Sequence, residues 1–61
     1  MNAEYSNKVL DNIIYEATSL ASRLNAKHQH ATWSDYEYFK KKLHLYELFG
    51  YEKQIADILQ I

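Results

Sequence analysis

The sequence predicts an all-α protein, a small three-helix bundle with helices at about 3–25, 35–49 and 51–60. Three observations carry that prediction. Apolar residues recur at helical spacing from the start of the chain. A second stretch, Ser34 to Gly50, has both a start signal and a stop signal for a helix. No segment alternates apolar and polar residues as a half-buried strand would, and the chain has no proline.

In the first helix, Leu10, Ile13, Ile14, Ala17, Leu20, Ala21 and Leu24 fall on one face, with Val9 at its margin. Lys8, Asp11, Asn12, Ser19 and Ser22 occupy the opposite face, and Tyr15 stands among them. Asn2 or Ser6 serves as a cap at the start, and Asn25 with the polar run Lys27, His28, Gln29, His30 marks the end.

For the second helix, Ser34 followed three residues later by Glu37 predicts a capping box with Ser34 as N-cap. Trp33 and Tyr38 are spaced to pack together as its hydrophobic staple. Gly50, the single glycine, suits the left-handed position that ends a helix, with Tyr51 reaching back to Tyr46. Between these ends Tyr36, Phe39, Leu43 and Tyr46 form one apolar stripe, while Tyr38, Leu45, Leu48 and Phe49 form a second. Only Glu37, Lys40, His44 and Glu47 make a plainly polar strip. The third helix places Tyr51, Ile55, Ile58 and Leu59 on one side, and a break at Gly50 turns that side toward the core.

A chain of 61 residues makes one domain, residues 1–61. A domain of that size hides only about 60% of its unfolded surface, so dense packing or self-association is expected to supplement a small core. With no cysteine there is neither a disulfide nor a thiolate metal site. No apolar run approaches the roughly 18 residues of a membrane span, and Met1 to Ser6 lack the order of a secretion signal, so a cytoplasmic protein is expected. Eight acidic and seven basic side chains leave a net charge of −1, so any nucleic-acid binding would need a local patch.

Lys40, Lys41 and Lys42 are the only charge run, and three adjacent lysines fan over roughly 200° of a helix. They read first as solvated surface, with the Lys42 stem lying on apolar neighbours. His28 and His30 in the loop, and His44 on the second helix, fall short of a closed zinc site, which needs four ligands that only carboxylates such as Asp35 would complete. No cofactor or metal is expected. There is no cysteine nucleophile, no glycine-rich phosphate loop, and a core too small to enclose a ligand pocket of roughly 300 Å³, so an enzyme is not expected. Phe49 to Ile61, with Gly50, Tyr51, Ile55, Ala56, Ile58 and Leu59, resembles the first helix of the helix-turn-helix unit in sigma-factor and response-regulator DNA-binding domains. Such a unit reads DNA through a second helix that would have to follow Ile61, so the resemblance implies no function for the residues present.

The aromatics point elsewhere. Six tyrosines, two phenylalanines and one tryptophan exceed what one short helical domain can seclude, at about 150–250 Å² per large ring. Tyrosine and tryptophan are favoured where proteins dock, because they offer rigid area with a polar tip. The expectation is a non-enzymatic regulator or inhibitor whose size suits a phage or mobile-element source. It would bind a protein partner, with a second copy of the chain among the candidates, through Tyr15, Tyr36, Tyr38, Leu45 and Phe49. The alternative is a nucleic-acid-binding helical dimer with Arg23, Lys27, Lys40 and Lys41 on phosphates.

Overall fold

The structure, a computed structural model, describes the backbone of residues 2–61 and the side chains of residues 8–61. Three helices follow one another: α1 (Asn2–Ala26), α2 (Trp33–Leu45) and α3 (Glu52–Leu59), with no strand among the described residues. Each helix packs against both of the others. The core consists of Leu10, Ile13 and Ala17 from α1, Phe39 and Leu43 from α2, and Ile55 and Leu59 from α3. Val9, Ile14, Leu20, Ala21, Ala31, Tyr36, Leu48 and Ile58 form a half-buried shell around it. The α1 stripe read from the sequence is therefore the buried face, while Asn2 and Ser6, as caps, lie outside the described side chains.

The second helix starts two residues before the position expected. Thr32, with φ −106° and ψ 171°, is the N-cap, and Ser34 lies inside the first turn. The Thr32 backbone N–H donates to Asp35 Oδ2 at 2.8 Å, and its hydroxyl donates to the same oxygen at 3.2 Å. Thr32 and Asp35 thus hold the positions that Ser34 and Glu37 were expected to hold. This register also moves the staple positions to Ala31 and Tyr36, both packed against the core, whereas the expected Trp33–Tyr38 pair does not form. Trp33 instead meets Tyr36, ring centroids 4.9 Å apart. The core contact decides between two equally plausible caps. Thr32→Ala should therefore cost about 0.5–2 kcal/mol, and Ser34→Ala, at an exposed site without that bond, under about 0.5 kcal/mol. Urea melts of the two variants check the assignment.

α2 also stops at Leu45, four residues short of the expected end. Continued as a helix, it would put Leu48 about 140° around from Leu43 and in water. The chain reverses at Glu47, φ 58°, and Leu48 folds back on the core. The Leu48 N–H donates to the Leu43 carbonyl at 2.8 Å and the Glu47 N–H to that of His44 at 3.0 Å, the paired bonds of a Schellman motif. The same arrangement ends α1 at His28, φ 59°, with Gln29 N–H bound to Leu24 O and His28 N–H to Asn25 O. It ends α3 at Gln60, φ 61°, with Ile61 N–H on Ala56 O and Gln60 N–H on Asp57 O.

All three helices thus end on a left-handed residue that is not glycine. Gly50 does have a positive φ, 93°, but it sits in the connection before α3 and not at the expected C′ position of α2. Left-handed backbone costs a residue with a Cβ roughly 1–2 kcal/mol more than glycine. Offset by glycine's greater unfolded entropy, Glu47→Gly and His28→Gly should each stabilise the fold by about 0.5–1 kcal/mol, seen as a higher melting temperature.

Candidate functional site

Two carboxylates tie the polar frame of the bundle. Glu16 sits at the edge of the α1 stripe, and α2 brings two donors to it. Lys42 Nζ donates to Glu16 Oε1 at 2.8 Å, and the Tyr38 hydroxyl donates to Oε2 at 3.0 Å. The Lys42 ammonium also lies 5.3 Å from the centre of the Tyr38 ring, and that ring meets Phe39 edge-on at 5.0 Å. The hydrogen bond from Lys42, opposed by partial desolvation and helped by Tyr38, holds the Glu16 carboxyl below its usual 4.5. The same bond, with a further contribution from Tyr38, raises the Lys42 ammonium above its usual 10.5.

The second carboxylate, Glu52, braces the turn between α2 and α3. Its Oε1 accepts the Gly50 N–H at 2.9 Å, and its Oε2 lies 2.6 Å from His44 Nε2. The His44 contact is the main cause that pulls the Glu52 carboxyl below 4.5. The Phe49 ring packs against His44 at a 53° tilt, centroids 5.1 Å apart. The turn that exposes Phe49 is thereby held at both ends.

These shifts have a sign. A carboxyl whose folded value is depressed stabilises the fold fully above its unfolded value and loses that contribution as pH falls through the lowered one. Acidification from pH 5 downward should therefore reduce the melting temperature. Glu16→Gln should flatten part of that acid limb while leaving the melt at pH 5 to 7 only modestly lower, because the pair is half exposed and screened. Thermal melts from pH 3 to 7 measure it.

Around this frame the large apolar side chains stay in water. Exposure is 74% at Tyr15, 63% at Trp33, 49% at Tyr38, 75% at Leu45, 52% at Tyr46 and 62% at Phe49. Among the described aromatics only Phe39 is buried, with Tyr36 half-buried against the core. Tyr46, read from the sequence as core stripe, is outside it, because α2 ends before a helical position could carry it inward.

The five expected docking residues do not share one surface. Tyr38 and Leu45, seven residues apart, differ by only about 20° around α2 and form a strip with Lys41 and Lys42 between them. Tyr46 and Phe49 are exposed past the end of that helix on either side of the strip, Tyr46 about 100° around from Leu45 and Phe49 against His44, which lies about 100° the other way. Tyr36 points to the other flank, beside Trp33. Tyr15 is about 100° from Glu16 on α1, among exposed polar side chains, and stands alone.

The cations are divided as well. Lys40 is half-buried on one flank of α2, Lys41 faces outward, and Lys42 turns to Glu16. Arg23 Nε donates to the Ser19 carbonyl at 3.4 Å and Lys27 is exposed just past α1. His30 edges a shallow depression of about 30 Å³ with Leu24, Ala31 and Leu59, room for about one water. Among the described residues, no three His, Asp or Glu side chains gather as metal ligands, and no helix is long and apolar enough to cross a membrane. Comparison with protein families, characterised proteins and solved structures finds no match to this chain.

Proposed function

We propose that this protein works without catalysis, as a small regulator or inhibitor that occludes or scaffolds a protein partner through the surface at the C-terminal end of α2. The observation that carries the reading is the exposure of Leu45, Tyr46 and Phe49, at 75, 52 and 62%, within five residues of chain. Isolated apolar side chains on a surface need no explanation, but several adjacent large ones mark a site that another molecule covers. Glu52 accepts the Gly50 N–H and meets the His44 ring, so the turn that carries Phe49 is organised before anything binds, which lowers the entropy cost of docking. The Tyr38 hydroxyl is engaged by Glu16, and its half-exposed ring remains available at the edge of the surface.

Capture from a lysate of the native source tests the reading, with wild type compared to Leu45→Ser plus Phe49→Ser and to Lys40→Glu plus Lys41→Glu. A partner lost with the first pair, retained with the second, and held through raised salt supports it. Binding that survives the first pair, vanishes with the lysine reversals and falls steeply with salt would transfer the function to phosphate contacts through Arg23, Lys27, Lys40 and Lys41.

A further inference from the structure

The connection that carries Phe49 hangs on one side chain. We infer that the Glu52 carboxylate is a charge-operated latch, which fixes residues 49–51 while ionised and releases them, with the bundle still folded, once it is neutralised. For its functional consequence, regulation of the docking surface, this inference rests on the reading above, whereas the latch itself is a property of the isolated chain.

Hydrogen bonding is the first argument. Of the backbone N–H groups of residues 49, 50 and 51, only that of Gly50 finds an acceptor among the described residues, and the acceptor is Glu52 Oε1 at 2.9 Å. The other oxygen of the same carboxylate lies 2.6 Å from His44 Nε2, which ties the connection to the last turn of α2. Packing supplies no substitute. Phe49, Gly50 and Tyr51 are all exposed, and a Cβ on Gly50 would meet nothing within 4 Å. The Phe49 ring packs against His44, which the carboxylate also holds. Segments with few buried contacts and exposed hydrogen bonds open at lower cost than the core. Both flanks are anchored independently: Leu48 lies on the core, and the Tyr51 carbonyl accepts the N–H of buried Ile55 at 3.2 Å. Opening therefore stops at those two points.

Carboxyl chemistry is the second argument. An ionised carboxylate accepts on both oxygens, so it serves the Gly50 N–H and a His44 N–H together. Protonation turns one oxygen into a donor, which opposes the N–H of a charged imidazole. The charged and titratable groups nearby do not replace it. On α2, Lys40 and Lys41 lie one turn before His44, and the connection itself carries Tyr46, Glu47 and Tyr51. On α3, Lys53 lies 3.9 Å from Asp57, and α1 directs Glu16 to Lys42, about 160° around α2 from His44. Among the described side chains, none of these bonds to the backbone of residues 49–51. The His44 contact holds the Glu52 carboxyl below its usual 4.5. The latch is thus fully set above that value and lost as pH falls through the lowered one.

Amide exchange and heteronuclear relaxation of the isotope-labelled full chain test the inference with no partner present. In Glu52→Ala at neutral pH, the Gly50 amide should exchange several-fold faster and Phe49 should gain fast motion, while the methyl signals of Leu43 and Ile55 stay native. In the wild type, the Gly50 amide shift should follow the Glu52 carboxyl on acidification, with a midpoint below 4.5 and ahead of any change at Leu43 or Ile55. Glu16→Gln, at the other paired carboxylate, should leave the Gly50 signals unchanged. A Gly50 amide indifferent to both Glu52→Ala and acid overturns the latch, and so does a turn that changes only together with the core. The lysate comparison is independent: capture through other residues removes the docking reading and leaves the latch standing, while a rigid turn in Glu52→Ala with capture through Leu45 and Phe49 does the reverse.

Discussion

Phe39→Ala is expected to destabilise the protein by about 3–5 kcal/mol, enough to leave much of the chain unfolded at room temperature. Phe39 is 1% exposed and sits where all three helices meet, the largest side chain in the core. At about 0.05–0.15 kcal/mol per residue, a domain this size holds roughly 3–9 kcal/mol in total, so one deleted ring consumes much of it. The loss combines the transfer of the ring to water with the cavity left behind, and a core with seven buried side chains among the described residues has few neighbours that can move in to fill it. Removing Phe39 also takes away the edge-on support of the Tyr38 ring, whose hydroxyl is bound to Glu16. Circular dichroism at 222 nm against urea measures the loss. A midpoint close to that of the wild type would mean that the three helices do not converge on this ring.

Leu43→Ala should cost about 2–5 kcal/mol for a related reason with an additional local consequence. Leu43 is fully buried one turn after Phe39, and its carbonyl accepts the Leu48 N–H that closes α2. Leu48 folds onto the core beside it, so truncation loosens both the centre of the bundle and the turn leading to α3. At about 4–8 °C per kcal/mol for a domain of this size, the melting temperature should fall by more than about 10 °C. Leu45→Ala supplies the contrast two residues away: the side chain is 75% exposed and the change should stay within about 0.5 kcal/mol. Equal effects at the two positions would show that α2 turns a different face inward.

The element types and the buried face of α1 are readable in the sequence because they follow from spacing alone. Leu10, Ile13 and Ala17 line one face of any helix drawn through them. The ends of α2 are not readable in the same way. Thr32 with Asp35 and Ser34 with Glu37 offer comparable capping chemistry, and only the packing of Ala31 and Tyr36 on the core selects the first. Gly50 is a strong stop signal by its lack of a Cβ, yet Glu47 accepts the left-handed conformation earlier because doing so returns Leu48 to the core. A local preference of about 1 kcal/mol yields there to burial of a leucine worth roughly twice as much.

The surplus of rings over core volume is a matter of composition and could be anticipated, whereas its distribution could not. Tyr15, Tyr36 and Tyr38 all looked available from their helical positions, but Tyr36 depends on the Thr32 start and Tyr38 on Glu16 across the α1–α2 contact. Glu16 and Lys42, 26 residues apart, carry no sequence mark of their pairing. The exposure of Tyr46 follows from the early end of α2, which leaves it past the last helical turn and outside the core stripe that a longer helix would give it.

Nuclear magnetic resonance of the folded protein, titrated with the protein captured from its native lysate, tests the central claim most directly, because it reports which side chains another molecule covers. The account predicts shifts at Leu45, Tyr46 and Phe49, with Tyr15 and Trp33 unchanged. Spectra indifferent to the captured protein, or shifts centred on Tyr15 or Trp33, would contradict it.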